Sequence, residues 1–304
     1  MDRRSWTLLV GLAVIWGASY MFIRIGVRDL SPAMVAWARI ALAALILVPI
    51  AAARGMLRLR GVGPGLLLLL GAIQVAGPFW LIAEGEEEIS SSLAGILVAS
   101  APLFTALLAI RFDHEERSEG ARLIGVLMGL VGVALLLGID LSGSSAELLG
   151  GGAVVLAGLG FAIGPLIIKR RLGDQPPTGV AAWVMLASTV ILLPAAIFSV
   201  PSEAPGAGPI AAVVVLGLIG TGVAFAIFYE LISRVGPART LLVTYLAPAF
   251  AVGYGTTLLD EPITVSTVIG LALILAGSFL AAEGRLPGRS RVPDPAQPVA
   301  APPG

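Results

Sequence analysis

Ten apolar stretches follow one another along the chain, separated by short charged or turn-rich breaks. A helix that crosses a bilayer needs roughly 20 consecutive apolar residues. The pattern therefore predicts an all-α membrane protein with ten transmembrane helices, the first of which is a retained span and not a cleaved leader. The predicted spans are 6–26, 32–53, 62–83, 89–110, 119–139, 149–168, 178–200, 208–232, 238–259 and 264–282.

The second half of the chain repeats motifs of the first half in the same order. Five spans per half is an odd number, so the halves must enter the membrane in opposite directions, as in the inverted repeats of secondary transporters. The pairs, 145 or 146 residues apart, are Pro32 with Pro177, Trp37 with Trp183, Gly77 with Gly222, Pro102 with Pro248, Glu116 with Glu261, Gly125 with Gly270 and Gly132 with Gly277.

This repeat divides the chain into three predicted regions. A first five-helix repeat covers residues 1–140, and a second covers 147–283. The last stretch, 284–304, is rich in Pro and Arg with little apolar content, which predicts a disordered cytoplasmic tail.

Lysine and arginine are distributed unequally between the two sets of loops. Cytoplasmic loops carry an excess of these residues, so the bias predicts that the N-terminus and the C-terminus both lie in the cytoplasm. Sixteen of the nineteen basic residues then fall on the inner side: Arg3, Arg4, Arg54, Arg58, Arg60, Arg111, Arg117, Arg122, Lys169, Arg170, Arg171, Arg234, Arg239, Arg285, Arg289 and Arg291.

Composition excludes several classes of function. The chain is 57% hydrophobic and 12% charged with a mean hydropathy of +0.97, which excludes a soluble globule. Zero net charge gives no general attraction to nucleic acid, and the absence of Cys excludes a thiolate metal site. The single His114 lies in a polar loop, so we expect no metal and no cofactor. The expected partners are a small-molecule substrate and membrane lipid, and a homodimer is the protein partnership considered.

Several motifs resemble those of EamA-type carriers in the drug/metabolite transporter superfamily. The run Trp16-Gly17-Ala18-Ser19-Tyr20 looks like the first-helix signature, and Pro32 through Arg39 resembles the second helix, which carries an Arg at this place. Pro102 and Pro248, each followed by a Glu and then by spaced glycines, resemble the two repeat signatures. The resemblance covers residues 6–282 and implies export or exchange of amino acids, other small metabolites or toxic compounds. It does not identify the substrate.

Arg39 is the first candidate for a substrate contact, because it lies roughly 10 Å into the second helix. A charge at that depth must face a cavity or a partner. It either anchors an anionic group of the substrate or forms a structural ion pair, for which Glu84 and Asp29 are the candidates.

Large or polar side chains inside other spans could line a cavity with Arg39, since binding pockets are mostly apolar and aromatic with few polar groups. Near helix ends such residues are more often interface anchors, and a buried amide can be purely structural. The candidates are Trp16, Tyr20, Gln74, Trp183 and Tyr245.

Two prolines and two acidic residues complete the candidates. Pro102 and Pro248 stand inside predicted helices, where proline removes a hydrogen bond and can bend the helix, either along the pathway or as a packing kink. Glu84 and Glu230 occupy corresponding places and could couple transport to protons, or they could be solvated helix ends. The run Glu86-Glu87-Glu88 is expected to form a solvated outer loop.

These observations favour a secondary carrier that works by alternating access through a cavity between the repeats, in the inner membrane of a bacterium. The alternative is a non-transporting membrane helper or a flippase-like subunit that carries lipid. An enzyme would need clustered His, Asp or Glu at one membrane face, which the spans lack, and no Gly-x-x-x-x-Gly-Lys run is present for an ATP-driven pump.

Overall fold

The structure, a computed structural model, describes residues 1–112, 120–137 and 144–283. Within these ranges it consists of helices and connecting loops, with no strand. Glu116, His114 and the predicted tail at 284–304 lie outside the described residues. The helices are α1 Arg3–Gly26, α2 Pro32–Ala53, α3 Pro64–Glu88, α4 Ser91–Val98, α5 Ala101–Phe112, α6 Gly120–Leu135, α7 Ser145–Arg171, α8 Pro177–Phe198, α9 Ala207–Val235, α10 Pro237–Thr240, α11 Val243–Leu258 and α12 Val265–Glu283.

Seven helical stretches in the described ranges are long and apolar enough to cross a membrane. They are α1, α2, α3, the α4–α5 stretch Ser91–Leu108, α7, α8 and α9. Shorter apolar segments lie in α6 and α12, at Leu123–Leu135 and Val265–Ala281. The prediction of an all-helical membrane protein is therefore confirmed for the part of the chain that the structure describes.

Local sequence explains where these helices begin. Ser31 and Ser90 accept hydrogen bonds from the backbone N–H groups of Met34 and Leu93, which satisfies donors that the first turn leaves free. Pro32 and Pro177 occupy the first turn of α2 and α8, where the missing N–H costs no hydrogen bond.

A π-helical segment interrupts both α3 and α9. The segments are Gly71–Ala76 and Leu216–Val223, and they fall at corresponding places of the sequence repeat. A π segment shifts the hydrogen-bond register and leaves a carbonyl to be satisfied by other groups. In α9 the hydroxyl of Thr221 donates to the carbonyl of Leu216 at 3.0 Å. The two repeats thus share an irregularity that the hydrophobic pattern does not reveal.

Two of the contacts between helices pair a helix of one repeat with the corresponding helix of the other. α6 packs against α12, and α2 packs against α8. At the first crossing, a Cβ on Gly125 would lie 2.8 Å from the carbonyl of Gly277, and one on Gly132 would lie 3.0 Å from the carbonyl of Gly270. Gly125 corresponds to Gly270 in the repeat, and Gly132 corresponds to Gly277. The two contacts are therefore related to each other by the symmetry between the repeats. Small residues here let the backbones approach closely.

The bundle has two chemically different ends, which we call the basic end and the acidic end. Hydrogen bonds between Arg60 and Gln175 join loops at the basic end, and one from Gly206 to Asp29 joins loops at the acidic end. The basic end carries Arg3, Arg4, Arg54, Arg58, Arg60, Lys169, Arg170, Arg171, Arg234 and Arg239. The acidic end carries Asp29, Glu84, Glu86, Glu87, Glu88, Glu147, Glu203, Asp260 and Glu261, with Arg24 and Arg28.

Candidate functional site

Arg39 lies in the interior where α2 meets α3 and α9. Its side chain is 5% exposed. The guanidinium carbon stands 4.0 Å from the ring centroid of Phe79, and Nε donates a hydrogen bond to the hydroxyl of Thr221 at 3.2 Å. A guanidinium stacked on a ring is held in a fixed plane by the ring quadrupole. Arg39 is therefore oriented by one residue from each repeat.

The π segment of α9 makes room for this arrangement. A Cβ on Gly217 would lie 3.1 Å from the Cα of Arg39 and 2.6 Å from the Cβ of Leu42, so a larger residue would push α9 away from α2. Phe79 and Thr221 were not singled out from the sequence. Thr221 lies in the π segment of α9, and hydrophobic periodicity carries no signal for its contact with Arg39.

Neither candidate for a structural ion pair contacts Arg39. Glu84 is exposed and accepts a hydrogen bond from the indole nitrogen of Trp80 at 3.1 Å. Asp29 accepts the backbone N–H of Gly206 at 2.8 Å. Within the described residues no carboxylate lies within 4.0 Å of Arg39. The guanidinium is thus buried, oriented and without a counter-ion in contact.

Glu86 corrects the expectation of a solvated loop. Helix α3 continues to Glu88, and Glu86 is 0% exposed. It belongs to the buried stripe of α3 with Phe79, Ile82 and Ala83, at the spacing of a helix face. Glu87 and Glu88 lie on the exposed side. The apolar stripe at every third or fourth position extends into the acidic run. This spacing was the feature of the sequence that could have predicted the burial of Glu86.

Both oxygens of the Glu86 carboxylate are buried, and neither has a hydrogen-bond partner in the part of the chain that the structure describes. Arg24 is close but donates to the backbone carbonyls of Glu86 and Glu87. Arg39, Glu261 and Tyr20 lie within electrostatic range of Glu86. A buried carboxyl without a partner is costly, so Glu86 requires a proton or a bound cation to offset its burial.

Tyr20 lies near both charged groups and packs between the repeats. It is within electrostatic range of Arg39 and Glu86. A Cβ on Gly95 of α4 would lie 3.2 Å from its ring and 2.6 Å from the side chain of Ala251 in α11. Tyr20, half-buried on α1, packs on the cluster that contains Ile82 and Ala83 and so borders the buried charges Arg39 of α2 and Glu86 of α3.

Trp16 lies one turn from Tyr20, on the side toward the basic end, in an aromatic cluster with α9. Its ring centroid is 5.4 Å from that of Phe228 and 6.3 Å from that of Phe225. The ring of Tyr229 adjoins Phe225 at 6.2 Å. These half-buried rings place an aromatic surface between the Arg39 region and the basic end.

The other three cavity candidates lie apart from Arg39. Tyr245 donates from its hydroxyl to the carbonyl of Ser278 at 3.3 Å, which links α11 to α12. Gln74 lies in the π segment of α3 and packs on Gly164 of α7, with its amide oxygen buried and unpaired. The indole of Trp183 donates to the carbonyl of Leu57 at 2.9 Å, and the side chain is 38% exposed.

The two repeat prolines have different helical settings. Pro102 is the second residue of α5, which begins after a break at Ala99 and Ser100. Pro248 is buried inside α11. A proline in the first turn of a helix costs no hydrogen bond, whereas an interior proline does. The chain therefore breaks before one proline and continues through the other, in place of the symmetric pair that the repeat suggested.

Glu84 and Glu230 lie at opposite ends of the bundle, on its surface side. Glu230 pairs with Arg234 one turn later, with 2.5 Å between Oε1 and Nε. Together with the Trp80 hydrogen bond to Glu84, these contacts give both carboxylates local partners. The structure does not bring either of them to Arg39.

A contact between the repeats lies at the acidic end. Glu261, in the loop before α12, accepts hydrogen bonds from the backbone N–H groups of Ser91 and Ser92 at 2.8 and 2.9 Å. The hydroxyl of Ser92 adds a third at 2.5 Å. A carboxylate at a helix N-terminus satisfies free donors and complements the helix dipole. Glu261 thus fastens the second repeat to α4 of the first.

No cluster of three or more His, Asp or Glu with metal-binding geometry is present among the described residues. What the two buried charges can do is bind ions: an oriented guanidinium can accept an anion, and an unpartnered carboxyl can accept a cation or a proton.

Comparison with known proteins gives the family. The sequence model of the EamA-like transporter family matches twice, at residues 4–138 and 148–282. An "Uncharacterized inner membrane transporter YedA" of Escherichia coli (strain K12) is 29% identical over 97% of this chain and 94% of its own length. A "Probable terminal-alkyne amino-acid exporter" of Streptantibioticus cattleyicolor is 28% identical over 92% of this chain and 93% of its own.

A third relative, a "Probable amino-acid metabolite efflux pump" of Escherichia coli (strain K12), is 24% identical over 92% of this chain and 95% of its own. One crystal structure shares the fold, with a TM-score of 0.63 at 20% identity over 93% of this chain and 98% of that one. With both family matches, these relatives indicate a transporter rather than an enzyme. The chain is a multi-pass membrane protein that belongs to the EamA-like transporter family.

Proposed function

We propose that the protein is a secondary transporter that exports amino acids or related small compounds from the cytoplasm by alternating access. The observation that carries the proposal is Arg39: a buried guanidinium in contact with Phe79 and Thr221 from opposite repeats, with no carboxylate within 4.0 Å among the described residues. A charge in that position is costly unless it meets a ligand or a water-filled space. A site built by both halves is also what alternating access requires, because both halves must move relative to it.

The membrane arrangement that goes with this proposal has ten spans in two inverted five-helix repeats. The basic end would face the cytoplasm, since cytoplasmic loops are rich in Lys and Arg, and both termini would lie on that side. The chain would reside in the bacterial inner membrane, the location in the name of the YedA relative. In this orientation the contact of Glu261 between the repeats would close the outer side.

Export of amino acids is supported by the names of two relatives and by the chemistry of the site. An "amino-acid exporter" and an "amino-acid metabolite efflux pump" both align over nearly the whole chain. A guanidinium binds a carboxylate through two parallel hydrogen bonds. The aromatic cluster of Trp16, Phe225 and Phe228 offers an apolar surface toward the basic end.

The test is reconstitution into liposomes with a panel of amino acids, organic anions and organic cations. Arg39→Ala should selectively abolish transport of carboxylate-containing solutes, while Arg28→Ala, at an exposed loop position, should not. Equal loss of all solutes together with loss of folded protein would reject Arg39 as an anchor. Absence of transport for every solute by the unmodified protein would favour the alternative of a helper or lipid-carrying subunit.

Proton coupling through Glu84 and Glu230 is a separate part of the proposal. Glu84→Gln and Glu230→Gln should remove the dependence of transport on a pH gradient if these carboxylates carry the proton. An unchanged dependence in both variants rejects them. Glu84 has a local partner in Trp80, and Glu230 has one in Arg234. The Glu230→Gln variant therefore also breaks the ion pair at the end of α9.

A further inference from the structure

Two buried groups of opposite charge, Arg39 and Glu86, belong to one interior region but do not contact each other. We propose that they are the two ends of a binding site for a zwitterion: Arg39 holds the carboxylate and Glu86 holds the ammonium group of one small amino acid. The inference rests on the proposed function, to which it adds a residue and a charge pattern for the substrate.

Arg39 has capacity for a carboxylate. A guanidinium carries five N–H donors, and the structure uses the one on Nε for Thr221. Phe79 fixes its plane from one side. Because no described carboxylate lies within 4.0 Å, the two terminal nitrogens are left to form the paired hydrogen bonds that a substrate carboxylate accepts.

Glu86 has the complementary capacity. Both carboxylate oxygens are buried and without a hydrogen-bond partner. The charged groups around it are used elsewhere, since Arg24 donates to backbone carbonyls and Glu261 accepts from Ser91 and Ser92. An ammonium group donates up to three hydrogen bonds and carries the charge that a buried carboxylate needs.

The spacing of the two groups fits a small zwitterion. Glu86 follows Phe79 by seven residues on the same face of α3, a rise of roughly 10 Å. Arg39 lies against Phe79, and no ion pair within 4.0 Å joins it to Glu86. One amino acid with a charge-assisted hydrogen bond of about 2.8 Å at each end would span that rise.

The surroundings favour an apolar substrate side chain. Between the two charges, α3 presents Ile82 and Ala83, and the same core cluster contains Ile23, Val35 and Leu216. Tyr20 packs on the same cluster and adds a hydroxyl-bearing ring to these surroundings. Leucine is therefore a suitable probe, with two analogues that each lack one charge: 4-methylpentanoate, which lacks the amine, and 3-methylbutylamine, which lacks the carboxylate.

The experiment measures binding of these three compounds by calorimetry to the full-length protein in lipid nanodiscs. Glu86→Gln should weaken leucine by at least about 10-fold, since a hydrogen bond to a charged group is lost. It should leave 4-methylpentanoate unchanged within about 2-fold. Arg39→Gln should do the reverse, weakening leucine but not 3-methylbutylamine. Glu88→Gln, an exposed change two residues further along α3, is the matched control and should alter none of them.

Several results would overturn the inference without touching the proposed function. If Glu86→Gln binds leucine like the unmodified protein, Glu86 is not an ammonium site. If that variant keeps leucine affinity but loses the pH dependence of transport in liposomes, Glu86 is a proton site instead. Should Glu86→Gln not fold, Glu86→Asp tests the same point, because a shortened carboxylate should weaken leucine and spare 4-methylpentanoate. Failure of the unmodified protein to move any amino acid would instead reject the proposed substrate class.

Discussion

Arg39 shows how a single residue depends on irregular backbone elsewhere in the chain. Its Nε donates a hydrogen bond to Thr221, which lies in the π segment of α9. Gly217 in the same segment keeps the two backbones close. The partner of a buried charge thus lies in an irregular segment some 180 residues away in sequence, as the hydrogen bond between positions 39 and 221 records.

At this scale we expect Arg39→Lys to keep the fold but to lose function. A lysine retains the charge yet cannot form the planar pair of hydrogen bonds or stack on Phe79. Transport of carboxylate solutes should fall by about 10-fold, because one charge-assisted hydrogen bond to the solute is lost. Counterflow in liposomes measures the effect. Arg28→Lys, in an exposed loop, is the control, and equal transport by both variants would contradict the prediction.

The helices are held together by two kinds of contact, close glycine crossings and polar contacts between loop and helix end. The α6–α12 crossing lets backbone meet backbone at Gly125, Gly132, Gly270 and Gly277. At the acidic end, Glu261 supplies the acceptor that the first turn of α4 lacks. The first kind of contact is static, because its atoms interlock. The second can release, because its partners can exchange with water.

Gly277→Ala is expected to destabilise the protein. A Cβ there would lie 2.5 Å from the backbone nitrogen of Gly129, and backbone cannot move aside as a flexible side chain can. Overpacking of this kind costs about 1–3 kcal/mol. Thermal unfolding in detergent should show a lowered melting temperature. Gly253→Ala, where a Cβ meets nothing within 4 Å, should leave the melting temperature unchanged or raise it.

Glu261→Gln is expected to open the acidic end more often. The amide keeps the shape but loses the charge that strengthens three hydrogen bonds. The chain contains no Cys, so Ile89→Cys, at a side chain that is 2% exposed beside this contact, can report opening through labelling by an impermeant thiol reagent.

The labelling rate should rise by about 10-fold in the Glu261→Gln background, because that factor corresponds to the free energy of one hydrogen bond to a charged group. Glu203→Gln, at an exposed position of the same end, is the matched control and should leave the rate as it was. A rate that Glu261→Gln does not change would show that this contact does not hold the acidic end closed.

The whole molecule is polarised by charge, with a basic end and an acidic end. Contacts between the repeats occur at both: Arg60 with Gln175 at the basic end, and Asp29 with Gly206 at the acidic end. The loops involved occupy corresponding places in the two repeats. The symmetry that relates the two repeats therefore also relates the two ends of the molecule. Alternating access between two equivalent conformations would require such a relation.

The proposed orientation rests on this polarity and can be measured in intact cells. Glu203→Cys, exposed at the acidic end, should react with an impermeant thiol reagent added outside. Asp174→Cys, exposed at the basic end, should react only after the membrane is permeabilised. The opposite pattern would place the basic end outside and reverse the proposed direction of closure.

Much of the architecture could be predicted from the sequence, because it depends on local composition. Apolar length predicted the helices, and repeated residues such as Gly125 and Gly270 predicted the two related halves that the family matches cover. The span predicted at 32–53 coincides with α2. Each of these is decided by residues close together in the chain, or by composition that is independent of packing.

The functional group itself was decided by tertiary structure. The sequence indicated Arg39 but suggested Glu84 or Asp29 as its partner, whereas packing supplied Phe79 and Thr221. It also assigned Glu86 to solvent, because a run of acidic residues resembles a loop. Burial of that one carboxyl depends on which face of α3 meets its neighbours, a property of the assembled bundle and not of the run. Local sequence therefore determined where the helices are, and only their packing decided which charges are enclosed together.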